Sequence, residues 1–321
     1  MLHLRLRVPE DLTDAVEELI RSESSAVNLA VLPGAYRNPD GAMVLVDLPR
    51  ECADPVLDRL HDLGVAERGS ITIVNDEVVI GRAADEAEQE APGSPEDVVI
   101  WDLIEDQARD DARFTLNFVA FLALATLIAS VGRLQDQPIL IIAAMIVGPE
   151  FGPMAAISLA VVRLRARLLA GAVGALLGGY LTALVTSSVV WTIVYRLGGF
   201  TIADLHRGPR TDFIVQPSVW SFVIACLAGV AGILSMTTDK SSNLVGVFIS
   251  VTTIPAVGTL SLSVATLDRH FALESLYQLG INVGGIIAAG VLTLALQRVA
   301  WARLRPGSGG RSRRTRGRTA T

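Results

Sequence analysis

Residues 143 to 154 read Ala-Ala-Met-Ile-Val-Gly-Pro-Glu-Phe-Gly-Pro-Met, and this segment holds the residues best suited to chemistry in a low-dielectric setting. Glu150 is the only acid well inside a long apolar stretch. A charge near the centre of a bilayer costs at least about 2.5 kcal/mol, so it must face a cavity, find a partner or stay protonated. The steps Gly148-Pro149 and Gly152-Pro153 flank it. Each proline removes a backbone donor and clashes with the preceding turn, so both steps are expected to break the helix and free carbonyls around the acid. Freed carbonyls are tolerated at that depth where protein buries them or water reaches them. The chemistry on offer is an ion, proton or substrate site; the bland reading is a neutral, hydrogen-bonded carboxyl that pins the break. A second interruption, Ser250-Val-Thr-Thr-Ile-Pro-Ala-Val-Gly258, supplies the hydroxyls of Thr252 and Thr253 ahead of Pro255. The candidate pathway is therefore Gly148, Pro149, Glu150, Gly152, Pro153, Thr252, Thr253 and Pro255. Asn117 and Asn282 are candidates for hydrogen bonds between helices.

These residues must be positioned by membrane-spanning elements. Six apolar stretches, 114–131, 138–162, 168–197, 219–236, 244–267 and 276–300, are each near or above the ~20 residues that cross about 30 Å of hydrocarbon. Glu150 lies about 18 Å from Pro138 at 1.5 Å per residue, close to the bilayer centre. Both interruptions fall in the middle member of a group of three. Ser158-Leu-Ala and Ser261-Leu-Ser follow the two breaks, and Gly178-Gly179 parallels Gly284-Gly285. Three spans per half would place the second half upside down. Inverted repeats with Gly/Pro-broken helices in corresponding positions point to a transporter site. Gly171, Gly174, Gly178, Gly179, Gly280, Gly284 and Gly285 would let helices approach closely, and a homo-oligomer is expected on the same ground.

Composition agrees with a membrane protein. Hydrophobic residues make up 51% of the chain and the mean hydropathy is +0.47. Residues 1–112 hold 9 Arg against 26 acids, a net of −17, whereas residues 113–321 hold 17 Arg and one Lys against 7 acids, a net of +11. The half that could meet nucleic acid in solution is strongly negative, which excludes that partner. Arg163, Arg165 and Arg167, with eight arginines from Arg298 to Arg318, put both termini in the cytoplasm by the positive-inside rule. Arg207 and Arg210 would then lie outside. The expected localisation is the plasma (inner) membrane, multi-pass. Two cysteines and four scattered histidines suggest no disulfide framework, metal site or cofactor. The amino terminus has no continuous apolar run and does not read as a signal peptide.

The first 80 residues alternate between two periods. Leu2, Leu4, Leu6 and Val8 mark a strand; Leu12, Val16, Leu19 and Ile20 a helix; Ala26 to Leu32 a strand ended by Pro33-Gly34. Met43 to Leu48 mark a third strand; Val56, Leu57, Leu60 and Leu63 a helix stopped at Gly64; and Ile71 and Ile73 a fourth strand. The order βαββαβ predicts an α+β ferredoxin-like domain, most simply for docking or dimerisation. The expected organisation is 1–82 cytosolic ferredoxin-like domain, 83–112 acidic linker and amphipathic helix, 113–302 six-span transmembrane domain, and 303–321 disordered Arg-rich tail. Residues 83 to 95 read as solvated linker. Trp101, Ile104 and Ala108 then mark an amphipathic helix leading to the bilayer surface.

Asn117-Phe118, Leu124-Ala-Thr-Leu-Ile-Ala-Ser-Val-Gly132 and Ile141-Ile-Ala-Ala-Met-Ile-Val-Gly-Pro-Glu-Phe-Gly-Pro153 resemble the DUF389 family of bacterial and archaeal membrane proteins, over roughly residues 100–270. Many relatives have Ser-Pro in place of Gly148-Pro149 and Pro-Pro in place of Ile254-Pro255. The resemblance implies a membrane topology and no substrate, so function rests on the residues. They point to a transporter or channel for an ion or small solute, with a cytosolic regulatory or assembly domain. The alternative is a non-transporting membrane sensor or scaffold whose head binds a ligand or partner. An enzyme is not expected, since no Ser/His pair or His-rich set falls within the spans.

Overall fold

A computed structural model describes residues 1–37, 40–74, 79, 81–91, 99–212, 218–238 and 253–304, the last four without side chains. Thr252, the first part of the fifth apolar stretch and the Arg-rich tail lie outside the described residues.

The amino-terminal part is a small antiparallel sheet under helices. Its elements are β1 (Leu2–Pro9), α1 (Thr13–Arg21), β2 (Val27–Arg37), β3 (Asp40–Leu48), α2 (Arg50–Asp62), the single turn α3 (Val65–Arg68) and β4 (Ser70–Val74). The strands lie in the order β2-β3-β1-β4, with Leu6 opposite Val44 on one side and Ile71 on the other. Strand alternation sends Leu2, Leu4, Leu6, Val44, Val46 and Leu48 to one face, where Val16 and Ile20 of α1 and Val56, Leu57 and Leu60 of α2 cover them. Gly64, at φ +76°, ends α2 as expected, its N–H donating to the His61 carbonyl at 2.8 Å.

Two local expectations are corrected. β2 does not stop at Pro33-Gly34 but continues to Arg37, with its pairing to β3 shifted between Leu32 and Tyr36. It is an edge strand, where a proline breaks no ladder bond. The solvated linker starts with a helix, α4 (Arg82–Glu90), which buries Ala84 and Ala87. Alanine, glutamate and glutamine are strong helix formers, and this outweighs the overall polarity.

The rest is helical: α5 (Trp101–Asp111), α6 (Leu116–Leu134), α7 (Pro138–Val147), α8 (Phe151–Arg163), α9 (Ala166–Arg196), α10 (Ile202–His206), α11 (Val219–Thr237), α12 (Ile254–Thr266) and α13 (Arg269–Leu304). Four of these, α6, α9, α11 and α13, are long and apolar enough to cross a membrane. The α7–α8 pair is bent by 55° and makes a fifth if taken as one span.

A constant offset relates these helices. Leu116 and Val219, Phe151 and Ile254, and Ala166 and Arg269 open α6 and α11, α8 and α12, and α9 and α13, and each pair is 103 residues apart. α6 and α11 are both 19 residues long, capped by Thr115 and Ser218, whose hydroxyls each accept the N–H three residues on at 3.2 Å. α8 and α12 are both 13 residues long and end in a left-handed leucine, Leu164 at φ +56° and Leu267 at φ +60°. That conformation is uncommon for a non-glycine residue, and here it occurs twice at matching positions. Counterparts also run in opposite directions. α6 ends near α10, where Arg133 reaches the Leu205 carbonyl. α11 ends where Gln297 bonds Thr237; the neighbouring Arg298 bonds Val162, and Arg163 lies over Trp101 of α5.

The glycine doublets Gly178-Gly179 and Gly284-Gly285 are three residues out of this register. Gly179 lies against Phe118 and Leu122 of α6, and Gly285 against Ala225 of α11. Gly171, Gly174, Gly280 and Gly284 have open space around them, so they make no close helix approach among the described residues.

Candidate functional site

The break in the second apolar stretch is confined to three residues. α7 ends at Val147 and α8 begins at Phe151. Gly148 is extended, at φ −71° and ψ 127°, as a residue before proline must be. Gly152 and Pro153 do not break the helix, contrary to expectation: they are the second and third residues of α8. In a first turn the N–H that proline lacks has no intrahelical acceptor anyway. Pro255 occupies the same kind of place as the second residue of α12.

Glu150 is the N-terminal cap residue of α8 and is 1% exposed. Its Oε1 accepts a 2.8 Å hydrogen bond from Oγ1 of Thr253, the fully buried cap residue of α12. Its Oε2 folds back against Gly148, and a side chain at 148 would also press within 2.8 Å of Ile254. Glu150 and Thr253 are themselves counterparts, 103 residues apart. Two short helices thus begin at one buried carboxyl and leave it in opposite directions, each presenting first-turn N–H groups and a positive dipole end to it. The buried Tyr180 of α9 borders the pair, with its hydroxyl towards Thr253.

Serines lock each short helix into the other half. Ser261 of α12 shares its hydroxyl with Ser187 of α9 at 2.9 Å and Ser130 of α6 at 3.3 Å, and Ser130 donates to the Gly258 carbonyl at 3.0 Å. Ser158, the counterpart of Ser261, donates to the Ile287 carbonyl of α13 at 3.3 Å. Of the two asparagine candidates, Asn282 is fully buried on α13, whereas Asn117 is exposed near the start of α6 and faces out of the bundle. Ser275 and Gln278, also fully buried, extend the Asn282 side of α13 into a polar stripe that the sequence reading did not single out.

Two further features were missed. α5 does not merely approach a bilayer surface; it packs antiparallel along α8. Trp101 lies under the Arg163 guanidinium at 5.5 Å, Glu105 accepts from Arg165 at 3.2 Å, and Asp111 sits against Gly152, two residues from Glu150. Ile104, Ala108 and Ala112 enter the same core as Met154 and Ala155. Second, Arg133, 1% exposed, closes the far end of α6. It donates to the carbonyls of Leu205 and Gly208, to Thr211 and to Asp212, at 2.8–3.2 Å. Nearby, Asp268 bonds His206 at 2.8 Å. Burial alone would raise the Asp268 pKa, but the Phe271 N–H and His206 outweigh it and hold it below the ordinary value. Among the described residues no group of three or more His, Cys, Asp or Glu could hold a metal.

The resemblance to DUF389 holds. Residues 145–288 match that family's model, described as "Domain of unknown function (DUF389)", so the match starts later and ends later than the segments that first suggested it. An uncharacterised protein of Methanocaldococcus jannaschii is 23% identical over 240 residues, covering 73% of this chain and 71% of its own. No solved structure matches.

Proposed function

We propose that this chain is a transporter or channel for an ion or small solute, built from six spans in two inverted halves of three. The observation that carries the reading is the Thr253–Glu150 hydrogen bond, which joins equivalent positions at the starts of two oppositely directed half-helices. Discontinuous helices meeting at mid-depth are how inverted-repeat transporters build a site, and an ionisable residue there is a functional candidate by default. Glu150 is the titrating group; Thr253 orients its carboxyl, and Gly148 leaves room for it.

The helical region then spans 113–302 in the plasma membrane, and the positive-inside rule puts the α5 side, with Arg163, Arg165 and Arg167, in the cytoplasm. Residues 1–82 form a ferredoxin-like regulatory or assembly domain, supported by the order β-α-β-β-α-β and the β2-β3-β1-β4 sheet. α5 connects that domain to the site. The uncrowded glycines of α9 and α13 support a homo-oligomer. No enzymatic step is proposed.

The test is flux of protons and several cations in proteoliposomes over about pH 5–8, comparing wild type with Glu150→Gln. Flux that is lost, or loses its pH dependence, in the variant is the expected result. A well-folded wild type that carries nothing under any condition would sink the reading. The chain would then be a membrane sensor or scaffold, for which the contact of α5 with α8 is the specific support.

A further inference from the structure

We propose that the cleft between the α5–α6 junction and the α8–α9 junction binds an anionic phospholipid. The cleft has a volume of about 1030 Å³, and Arg109, Arg113, Arg165 and Arg167 line it. The one lining acid, Glu105, is buried and already accepts from Arg109 and Arg165, both at 3.2 Å. Arg113 lies 3.5 Å from the exposed Asp110, and Arg167 makes no ion pair among the described residues. The lining therefore carries four cations against one anion. The first turn of α9 also opens on the cleft, and its cap residue, Arg165, gives it no side-chain cap. Its free N–H groups add to the attraction for an oxyanion.

The rest of the lining is largely apolar. Phe114, Leu168 and Ala172 belong to it, and Gly171 leaves it bare. Phe114 is 55% exposed and the adjoining Leu164 88% exposed. The cleft lies where α6 and α9, both long and apolar enough to cross a membrane, begin. A free phosphate would satisfy the arginines and leave the apolar lining uncovered. A headgroup phosphate with acyl chains running down α9 satisfies both, as in basic pockets between spans that bind lipid headgroups. This inference goes beyond the pathway around Glu150 and needs no flux.

The full chain would be exchanged into phosphatidylglycerol or phosphatidylcholine, and the retained lipid counted by native mass spectrometry. Wild type should keep phosphatidylglycerol in preference. Arg167→Gln should weaken retention roughly fivefold, and Arg113→Gln by a similar factor. Gly171→Leu should weaken it without changing the charge, because its side chain enters open space and fills the groove; circular dichroism checks that the fold is kept. Equal retention of the two lipids, or variants that retain as much as wild type, would overturn the proposal. So would millimolar inorganic phosphate or glycerophosphate displacing the lipid completely from wild type while Gly171→Leu binds as wild type does, since the ligand would then be a free anion.

Discussion

Thr253→Val removes one hydroxyl, which faces the Glu150 carboxyl and the Tyr180 hydroxyl. Valine has nearly the shape of threonine, so no cavity opens. The Thr253 side chain caps no N–H of its own helix, so no cap is lost. What disappears is the 2.8 Å hydrogen bond to Glu150 Oε1, made between groups 0% and 1% exposed. Such a bond contributes about 0.5–1.5 kcal/mol to a neutral acceptor and about 1.5–3 kcal/mol to a charged one. At about 2–4 °C per kcal/mol for a region of this size, the melting temperature in detergent should fall by roughly 1–12 °C. A loss above about 6 °C would identify the bonded group as a carboxylate, and one below about 3 °C as a neutral acid. Thr253→Ser keeps the donor and should recover most of the loss. In a Glu150→Leu background the valine substitution should cost clearly less, since the carboxyl acceptor is already gone and only the Tyr180 contact remains. A Thr253→Val protein as stable as wild type, or a cost that persists unchanged in the Glu150→Leu background, would refute the reasoning.

Other perturbations test the surroundings. Arg133→Met should cost about 1–3 kcal/mol by leaving two carbonyls without their donor; trypsin cleavage after Arg207 and Arg210 should accelerate, and unchanged rates would show that the segment is not pinned. Gly152→Val would bring a side chain within 2.8 Å of Asp111 and push α5 off α8. Maleimide labelling of the buried position Ala108→Cys, in a background without Cys52 and Cys226, should rise; constant labelling would count against the contact. Asp268, held below its ordinary value of 3.8, stabilises the fold above that pH and loses the contribution as pH falls through the lowered value. The stability gap between wild type and Asp268→Asn should therefore be open at neutral pH and close below about pH 4; a gap indifferent to pH would remove Asp268 from the acid response.

Glu150 was legible in the sequence because an isolated acid in an apolar run has few explanations, and Gly148-Pro149 gave its position in the break. Pro153 and Pro255 were misread because the same ring that breaks a helix interior suits its first turn. Which case applies depends on where the helix begins, and that is set by packing. The serine triplets at 158 and 261 sat in the true register, while the more conspicuous glycine doublets were three residues off. The cap residues Thr115 and Ser218 would have fixed the offset, since each starts an apolar run. For α5, periodicity predicted one buried face but could not say what would bury it. Arg133 passed as a loop residue because hydropathy ended the first stretch two residues earlier, and only the fold brings the carbonyls of Leu205 and Gly208 to it.

The two short helices are not seated alike. α12 lies along α6, with Gly258 pressed to Thr126 and Ala129, whereas its counterpart α8 meets α11 only lightly and has α5 along its flank. Under the 103-residue offset, Gly258 corresponds to Ala155, and Thr126 and Ala129 to Gly229 and Gly232. That seat is filled, however: Gly229 is pressed to the Ile286 backbone and Ala289 of α13, and Gly232 is buried. For Ala155 to settle onto Gly229 and Gly232 in an exchange of poses, α11 must first part from Ile286 and Ala289 of α13, and α5 must leave α8. Cysteines at 155 and 232 would form a disulfide only in the exchanged pose, and oxidising conditions would lock the chain with α5 released.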